Sequence, residues 1–564
     1  MLDRVLRGLM GGAGRTATGV LEEVRGTTGR AAVEAHALYT VTRAGLLGPE
    51  PPRKLAEIAL ALQRFGPVGA TAVIGALRHG DRFGLIDEHG PLTFSAIDRR
   101  SNALAAALID RGLQPGSGVG VLCRNHRGLV DATFACAKAG FRALYLNTDF
   151  AAPQAREVFA RESADALIYD QEFESIVFEV RARRGRYVAW CDSPSDEETL
   201  EDLIATGATE GLPAPARPGT LVVLTSGTTG EPKGASRPQS RSLSLPGAII
   251  SKIPYRGEEA VYVAPPMFHS WGLLNFLVSL GTGCTVVTAR RFDPEAVLDS
   301  LVRQHCTGLV VVPVMLDRLL ALGPEAIRAR DLSSLRFIAS SGSAIGAERA
   351  RRTMEVFGDK LYNLYGSTEV AYVTIATPED LRADHDTVGR PPFGTRVRLF
   401  DTDGNEAPPG APGRIFVANG EAFSGYTGGG SKEVIGDFMS TGDIGHFDDA
   451  GRLFVDGRDD EMIVSGGENV FPREVEELLS NHSAVLEAAA VGMHDEEFGQ
   501  RLCVFVVRQS GGDLDEETVK RYVRENLARY KVPRRVVFVE ELPRNPAGKV
   551  VKRKLLELLE ERTG

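Results

Sequence analysis

The sequence predicts an α/β protein built on open parallel sheets, and three observations carry that prediction. Between residues 80 and 200 short apolar runs alternate with helical patterns: Phe83–Asp87, Gly118–Cys123, Arg142–Leu146 and Ala166–Tyr169 read as strands, with Leu129–Ala139 a helix among them. The alternation resumes with strands over Ala260–Ala264, Thr307–Pro313, Leu335–Ala339 and Leu361–Leu364. The last hundred residues alternate more tightly, with strands at Glu487–Met493, Leu502–Val507 and Arg535–Phe538 and a helix at Glu516–Leu527. Between these blocks Arg396–Val417 is β-rich and is broken at Asp403-Gly404 and Pro408-Pro409-Gly410, which predicts a small barrel-like subdomain.

Length and composition bound the rest. At 564 residues the chain exceeds one ordinary domain, and about 150 residues per domain gives three or four units. Hydrophobic residues at 43% and charged residues at 25% exclude a disordered class. The best apolar run, Leu273–Leu280, is short and interrupted by Asn275 and Ser279, far from the roughly 18 residues of a spanning helix. A formal charge of −10 disfavours a nucleic-acid binder, so any anionic ligand must be held locally. The six cysteines are scattered without a CxxC pair, as reduced core residues of a cytosolic protein are.

Taken in order, the chain begins with a segment of different flavour. Leu2, Val5, Leu6, Leu9 and Met10 share a helical face beside Arg4 and Arg7. One reading is an amphipathic helix touching a membrane surface; the other, favoured by Gly11, Gly12 and Gly14, is a helix packed on its own protein or a frayed tail. No sustained apolar region marks a secretory signal. A second helical pattern runs from Pro51 and is closed by Gly66-Pro67. After a turn at Glu88-His89-Gly90, Ser95 is placed to cap a helix whose apolar face is Ala103, Leu104, Ala107 and Leu108.

The stretch LVVLTSGTTGEPKG, Leu221–Gly234, carries the chemistry. A buried strand empties into a loop where Gly227, Gly230 and Gly234 let backbone N–H groups turn inward. Thr225, Ser226, Thr228 and Thr229 add hydroxyls and Lys233 a positive charge, so the loop suits phosphate. It is not the Walker loop, because two residues rather than four separate Gly227 from Gly230 and Gly234 follows Lys233. The string TSGTTGEPKG resembles instead the signature loop of the adenylate-forming enzymes, the superfamily of acyl-CoA synthetases, peptide-synthetase adenylation domains and firefly luciferase.

Further segments resemble that family in the same order. Pro265-Pro266-Met267-Phe268-His269-Ser270-Trp271-Gly272 is similar to its acid-site segment. Members that activate amino acids carry Asp after the Phe; here His269 stands there, and a buried ammonium without a carboxylate is costly, which disfavours an amino acid. The resemblance implies His269 in the active-site wall, Trp271 as an aromatic gate and Val312 in an acyl pocket made apolar by Leu273, Leu274 and Phe276. Gly342, Ser343 and Ala344 match the turn that approaches adenine, although Ser343 and Ile345 replace the commoner Gly and Pro. Tyr365-Gly366-Ser367-Thr368-Glu369 is a full match to a nucleotide element, implying a ring on adenine, a hydroxyl at the α-phosphate and a carboxylate for Mg²⁺ at Glu369. Asp443, in Ser440-Thr441-Gly442-Asp443, matches the ribose-binding Asp, and Gly428-Gly429-Gly430 before it reads as an exposed loop.

Arg458 resembles the ribose- and phosphate-contacting Arg, Asp460 the hinge, Gly466 and Gly467 the glycines of the CoA tunnel, and Lys549 the lysine that bridges carboxylate and α-phosphate. The implied organisation is an N-terminal extension (1–50), a large N-terminal domain (51–459) of two α/β layers plus the barrel-like subdomain, and a small mobile C-terminal α+β lid (460–564). The implied activity is an ATP- and Mg²⁺-dependent acyl-CoA synthetase acting on a medium- or long-chain fatty acid through acyl-AMP, with catalysis by Lys549, Thr368, Glu369 and His269. Rivals are an aryl-CoA ligase, a fatty acyl-AMP ligase serving a carrier protein and, from another class, an inactive membrane-associated fatty-acid uptake or binding protein. A cytoplasmic location, peripheral membrane contact and a homodimer complete the expectations from the family; no residue fixes an interface.

Overall fold

The structure, a computed structural model, describes residues 17–226, 232–236, 242–423, 425–427, 429–459, 463–465, 468–495, 499–509, 514–527, 531–546 and 548–561. Turn residues cut the chain into strands close to those the periodicity predicts. β1 (Phe83–Asp87) and β2 (Gly90–Thr93) form a hairpin across Glu88-His89. β3 (Gly118–Leu122), β4 (Arg142–Tyr145), β5 (Ala164–Asp170), β6 (Arg186–Trp190), β7 (Thr220–Ser226) and β8 (Pro232–Ser236) form a six-stranded sheet in the order β6-β5-β3-β4-β7-β8. β9 (Ala260–Val263), β10 (Thr285–Val287), β11 (Gly308–Val311), β12 (Phe337–Ser340), β13 (Leu361–Tyr365) and β14 (Thr374–Ala376) join the first hairpin in an eight-stranded sheet, β14-β13-β12-β11-β9-β10-β1-β2. Both sheets are parallel apart from edge strands β8, β2 and β14, as covered α/β layers require.

The helices follow from the same pattern. Helix α1 (Ala17–Arg43) precedes α2 (Pro52–His79), α3 (Phe94–Asp110) and α4 (Arg127–Ala139). In α4 every residue from Gly128 to Ala139 is buried, and the two charges among them are paired, Asp131 with Arg100 and Lys138 with Asp98. Helix α5 (Ser244–Lys252) receives α1: Glu34 accepts hydrogen bonds from the Ser242 hydroxyl at 2.5 Å and the Leu243 N–H at 3.2 Å. A Cβ on Gly247 would lie 2.6 Å from the Cβ of Ala37, so the two helices meet at glycine contact. Within its described residues the N-terminal segment is thus packed on its own protein, while Leu2–Met10 lies outside them.

Beyond the two large sheets, β15 (Arg396–Phe400), β16 (Gly413–Ala418), β17 (Val434–Ile435), β18 (Phe438–Phe447) and β19 (Leu453–Arg458) form an antiparallel sheet. Among the described residues no pairing closes it into a ring, since β17 and β19 share the far edge of β18. The C-terminal strands β20 (Ile463–Ser465), β21 (Glu468–Val470), β22 (Val485–Asp495), β23 (Gly499–Arg508) and β24 (Arg535–Val539) make a sheet of their own over a core of Val475, Leu479, Val504, Val519 and Val523. The expected boundary at Asp460 lies outside the described residues.

Four local expectations are corrected. Gly66-Pro67 kinks α2 rather than closing it, because Gly66 takes φ 68° and Pro67 suits the first turn of the helix that resumes. Among the described residues α2 is the one helix long and apolar enough to cross a membrane, by length and composition; its buried face packs on α3 and α4. Thr93, not Ser95, caps α3, its hydroxyl accepting the Ala96 N–H at 3.1 Å. Strand β11 stops at Val311, since Pro313 fixes the backbone for a helix start. Finally, Lys233 and Gly234 lie not in a loop but in β8, with Thr225 opposite Lys233 and Leu224 opposite Gly234.

The α1–α5 contact leaves no room for a side chain at Gly247. Gly247→Val is expected to destabilise the protein by about 1–3 kcal/mol, read as a lower melting temperature; an unchanged melt would mean that α1 is not seated there.

Candidate active site

Parallel strands deliver their C-terminal ends to one edge of the sheet, and the predicted site residues follow four adjacent strands. After β9 come Pro265–His269 and helix α6 (Ser270–Gly281); after β11 come Val312 and helix α7 (Pro313–Leu320). After β12 comes the Ser341–Ala344 turn, and after β13 the Gly366–Glu369 turn. The Ser270 and Thr368 hydroxyls lie 3.1 Å apart, joining the acid segment to the nucleotide element. Gly366 is required at its turn, because a Cβ there would lie 2.4 Å from the Ala371 carbonyl oxygen. Ser367 caps the same turn, its hydroxyl accepting the N–H groups of Glu369 and Val370 at 3.3 and 3.4 Å.

The antiparallel sheet brings a second wall. Asp443 on β18 stands opposite Arg458 on β19 in the ladder. Arg458 Nη1 donates to Asp443 Oδ1 at 3.3 Å, and the Tyr365 hydroxyl donates to Oδ2 at 2.5 Å. The last wall comes from the C-terminal unit. At Gly548, with φ 78°, a Cβ would lie 2.6 Å from Val314 Cγ1 and 3.4 Å from Val312 Cγ2, and Val312 Cγ1 would in turn lie 3.3 Å from a Cβ on Gly342. Lys549 thereby enters the field of Asp443, Arg458 and Glu369. Its side chain keeps solvent-accessible surface although protein surrounds it, as a group projecting into an open chamber does.

Other predicted residues divide into three groups. Thr225 and Ser226 end β7 and Lys233 lies at the start of β8, next to where the two strands connect. Gly227, Thr228, Thr229 and Gly230, with Asp460, Gly466 and Gly467, lie outside the described residues. Ser343 is half-buried and Ala344 exposed on their turn. Trp271 is a buried wall rather than a swinging gate, because its indole N–H donates to the Val311 carbonyl at 2.9 Å. Phe276 faces the core, its ring 5.7 Å from that of Phe134, and so does not line an acid pocket.

The chain that builds this site, with a carboxylate opposite an arginine and a lysine from the C-terminal unit, matches one family along most of its length. A sequence model of the AMP-binding enzyme covers residues 74–427, and one of the AMP-binding enzyme C-terminal domain covers 474–549. The chain belongs to the AMP-binding enzyme family. An indoleacetate–CoA ligase of Aromatoleum aromaticum is 32% identical over 482 residues, 84% of this chain and 94% of the relative. A fatty acid–[acyl-carrier-protein] ligase of Streptomyces coeruleorubidus is 29% identical over 485 residues, 82% of this chain and 91% of that protein. The solved o-succinylbenzoate CoA synthetase of Bacillus subtilis, with its acyl-adenylate intermediate, superposes with a TM-score of 0.75 at 25% identity, over 86% of this chain and 97% of that one.

In this AMP-binding enzyme the charges around the chamber have identifiable causes. Enclosure lowers the pKa of Lys549, with Arg458 acting the same way and Asp443 and Glu369 opposing. Burial raises Asp443 against the pull of Arg458, Tyr365 and Lys549. Burial also works on Glu369, but hydrogen bonds from Tyr426 and Ser367 prevail and hold it below the ordinary value. An ionised, partly buried carboxylate at this position fits Mg²⁺, a cation that takes hard oxygen donors. The glycine run that follows drew attention away from Tyr426, whose hydroxyl donates to Glu369 Oε1 at 2.7 Å; no motif reading flagged it.

His269 is neutral. Its Nε2 is buried without a hydrogen-bond partner, its ring lies 4.5 Å from Phe268, and burial, reinforced by Lys549, pushes its pKa down to about 4. From the ordinary 6.5 down to about 4 the unfolded chain binds a proton that the folded imidazole refuses, so this contribution to stability is complete above pH 6.5 and is lost as the pH falls towards 4. Melting curves of the wild type and His269→Asn are expected to converge over that interval as the pH is lowered. Parallel curves, or an imidazole NMR midpoint near 6.5, would contradict the assignment.

Proposed function

We propose that this protein is an ATP-dependent acid–CoA ligase whose acid is aromatic. The observation that carries the adenylating step is Lys549 facing Asp443, Arg458 and Glu369 while Gly548 rests on Val312 and Val314. The acid's carboxylate attacks the α-phosphate of ATP, the bond to pyrophosphate breaks, and acyl-AMP forms. Lys549 offsets the repulsion between the two anions and the charge that develops at the α-phosphate. Asp443 accepts from the ribose hydroxyls, keeping lone pairs for them beside Tyr365 and Arg458, and Tyr365 presents its ring to adenine. Mg²⁺ at Glu369 would supply charge neutralisation on the phosphates. The thiol of CoA then attacks the acyl carbon and AMP leaves, after the C-terminal domain has turned about Asp460 and withdrawn Lys549.

An aromatic acid is supported by the indoleacetate and succinylbenzoate relatives and by the rigidity of the acid wall. Trp271 is pinned to Val311, and the neutral His269 with its unpartnered Nε2 offers one polar contact in an otherwise apolar surface. For CoA, a cavity of about 370 Å³ beside Phe268 and Pro546 carries Arg124, Arg290, Arg291 and Arg318, still a positive surplus after Glu172, Asp192 and Asp149, as a phosphate-rich thiol needs. A fatty acid is the second reading, favoured by the acyl-carrier-protein ligase relative.

Lys549→Ala is expected to lower acid activation by about a hundredfold or more while thioester formation from supplied aryl-AMP and CoA survives. Equal loss of both steps would remove Lys549 from the adenylating role. Compared as substrates of the wild type, arylacetic and hydroxycinnamic acids should exceed octanoic to hexadecanoic acids in kcat/KM; the reverse order would establish the second reading.

A further inference from the structure

Tyr426 lies on a strap that ties the phosphate hairpin to the turn carrying Glu369. Ala235 of β8 bridges to Tyr426, and the Thr427 N–H donates to the Gly234 carbonyl at 2.8 Å. A Cβ on Gly234 would lie 2.6 Å from Thr427 Oγ1, so strap and hairpin are in direct contact. Thr427 Oγ1 also donates to Glu162 at 2.7 Å, which anchors the strap to the six-stranded layer. At its other end the Phe423 N–H donates to the Glu369 carbonyl at 2.8 Å. The Phe423 ring meets the Tyr426 ring edge-on at 4.8 Å, fixing the direction of the phenol that reaches Glu369 Oε1.

We propose that Tyr426 is a positioning residue for Glu369: its hydroxyl holds the carboxylate in one orientation relative to the β7–β8 hairpin, so that a divalent cation carrying the nucleotide phosphates meets a preset ligand. The inference rests on the adenylation reading above. A glutamate side chain left to itself spreads over several rotamers, and ordering it on each binding event opposes binding. A phenol that is itself held by backbone contacts on both sides removes that cost before the metal arrives. The partner that orients a metal ligand typically controls about tenfold or more of the affinity. The strap also explains how one side chain serves two elements, since the residues flanking Tyr426 grip the hairpin that receives the phosphates.

Calorimetric titration of the full-length protein with ATP, once with Mg²⁺ and once with EDTA, measures the metal-linked gain in affinity. Tyr426→Phe keeps the ring against Phe423 and is expected to bind metal-free ATP as the wild type does, while losing about tenfold of the Mg²⁺-linked gain. In a Glu369→Gln background the same substitution should add no further loss, since the two residues act as one unit. Retention of the whole gain by Tyr426→Phe, or an equal weakening with and without Mg²⁺, overturns the role. A wild type that binds ATP with no Mg²⁺-linked gain overturns it too and leaves adenylation standing, whereas a wild type that binds no ATP at all sinks both.

Discussion

Lys549 reaches the chamber because the residue before it has no side chain. Gly548 adopts φ 78° within 2.6 Å of where Val314 would meet any Cβ, so each larger residue would be strained in its backbone and would lift the loop from α7. The loop is stiff in its own right. Asn545 Oδ1 accepts the Lys549 N–H at 2.9 Å, and Arg544 donates to the Gly548 carbonyl and to Glu487 at 2.7 Å. A second tether holds the C-terminal unit: Arg473, on the helix Pro472–Ser480, pairs with Asp386 of the main body at 3.0 Å. The lysine's unit is thus held to the main body at two places, by Gly548 on Val314 and by Arg473 on Asp386.

The chamber it enters sets Lys549, Arg458 and Lys432 against the carboxylates of Asp443 and Glu369. A triphosphate and a carboxylate add several negative charges to it. Among the described residues, the arginines beside Phe268 are a further concentration of positive charge. His269 contributes none of it, because burial and the neighbouring ammonium keep its imidazole uncharged. Its ring lies against Phe268, buried next to the first turn of α6. Arginine and lysine therefore divide the work by position, and histidine supplies shape and one nitrogen.

Much of this was legible in the sequence, and for physical reasons. Strand periodicity located most of the inner strands of both parallel layers, since buried parallel strands are continuous apolar runs such as Val310-Val311 and Phe337-Ile338, but it passed over β6, β8, β10 and β14. Gly342, Tyr365, Glu369, Asp443 and Lys549 were singled out because the segments that carry them resemble those of a known family, and the fold brings Tyr365, Asp443 and Lys549 to one place. Pairings between distant segments were not legible. That Lys233 lies in a strand opposite Thr225, that Trp271 spends its N–H on Val311, and that Tyr426 serves Glu369 depend on register and on contacts across the fold. Phe276 misled because an apolar helix near an acid segment has two apolar faces, and the sequence does not say which one looks inward. The class of acid was not legible for the same reason: an apolar wall fits a fatty chain and an aromatic ring alike.

The central claim is that a carboxylate oxygen of the acid attacks the α-phosphate of ATP in this chamber. Indoleacetic acid labelled with oxygen-18 in its carboxylate, incubated with the enzyme, ATP and CoA, tests it by phosphorus NMR of the products. The account predicts one labelled oxygen in AMP and none in pyrophosphate, because the acid's oxygen stays on the α-phosphorus when the thiol displaces AMP. Turnover that leaves AMP unlabelled, or that places the label in orthophosphate, would contradict it.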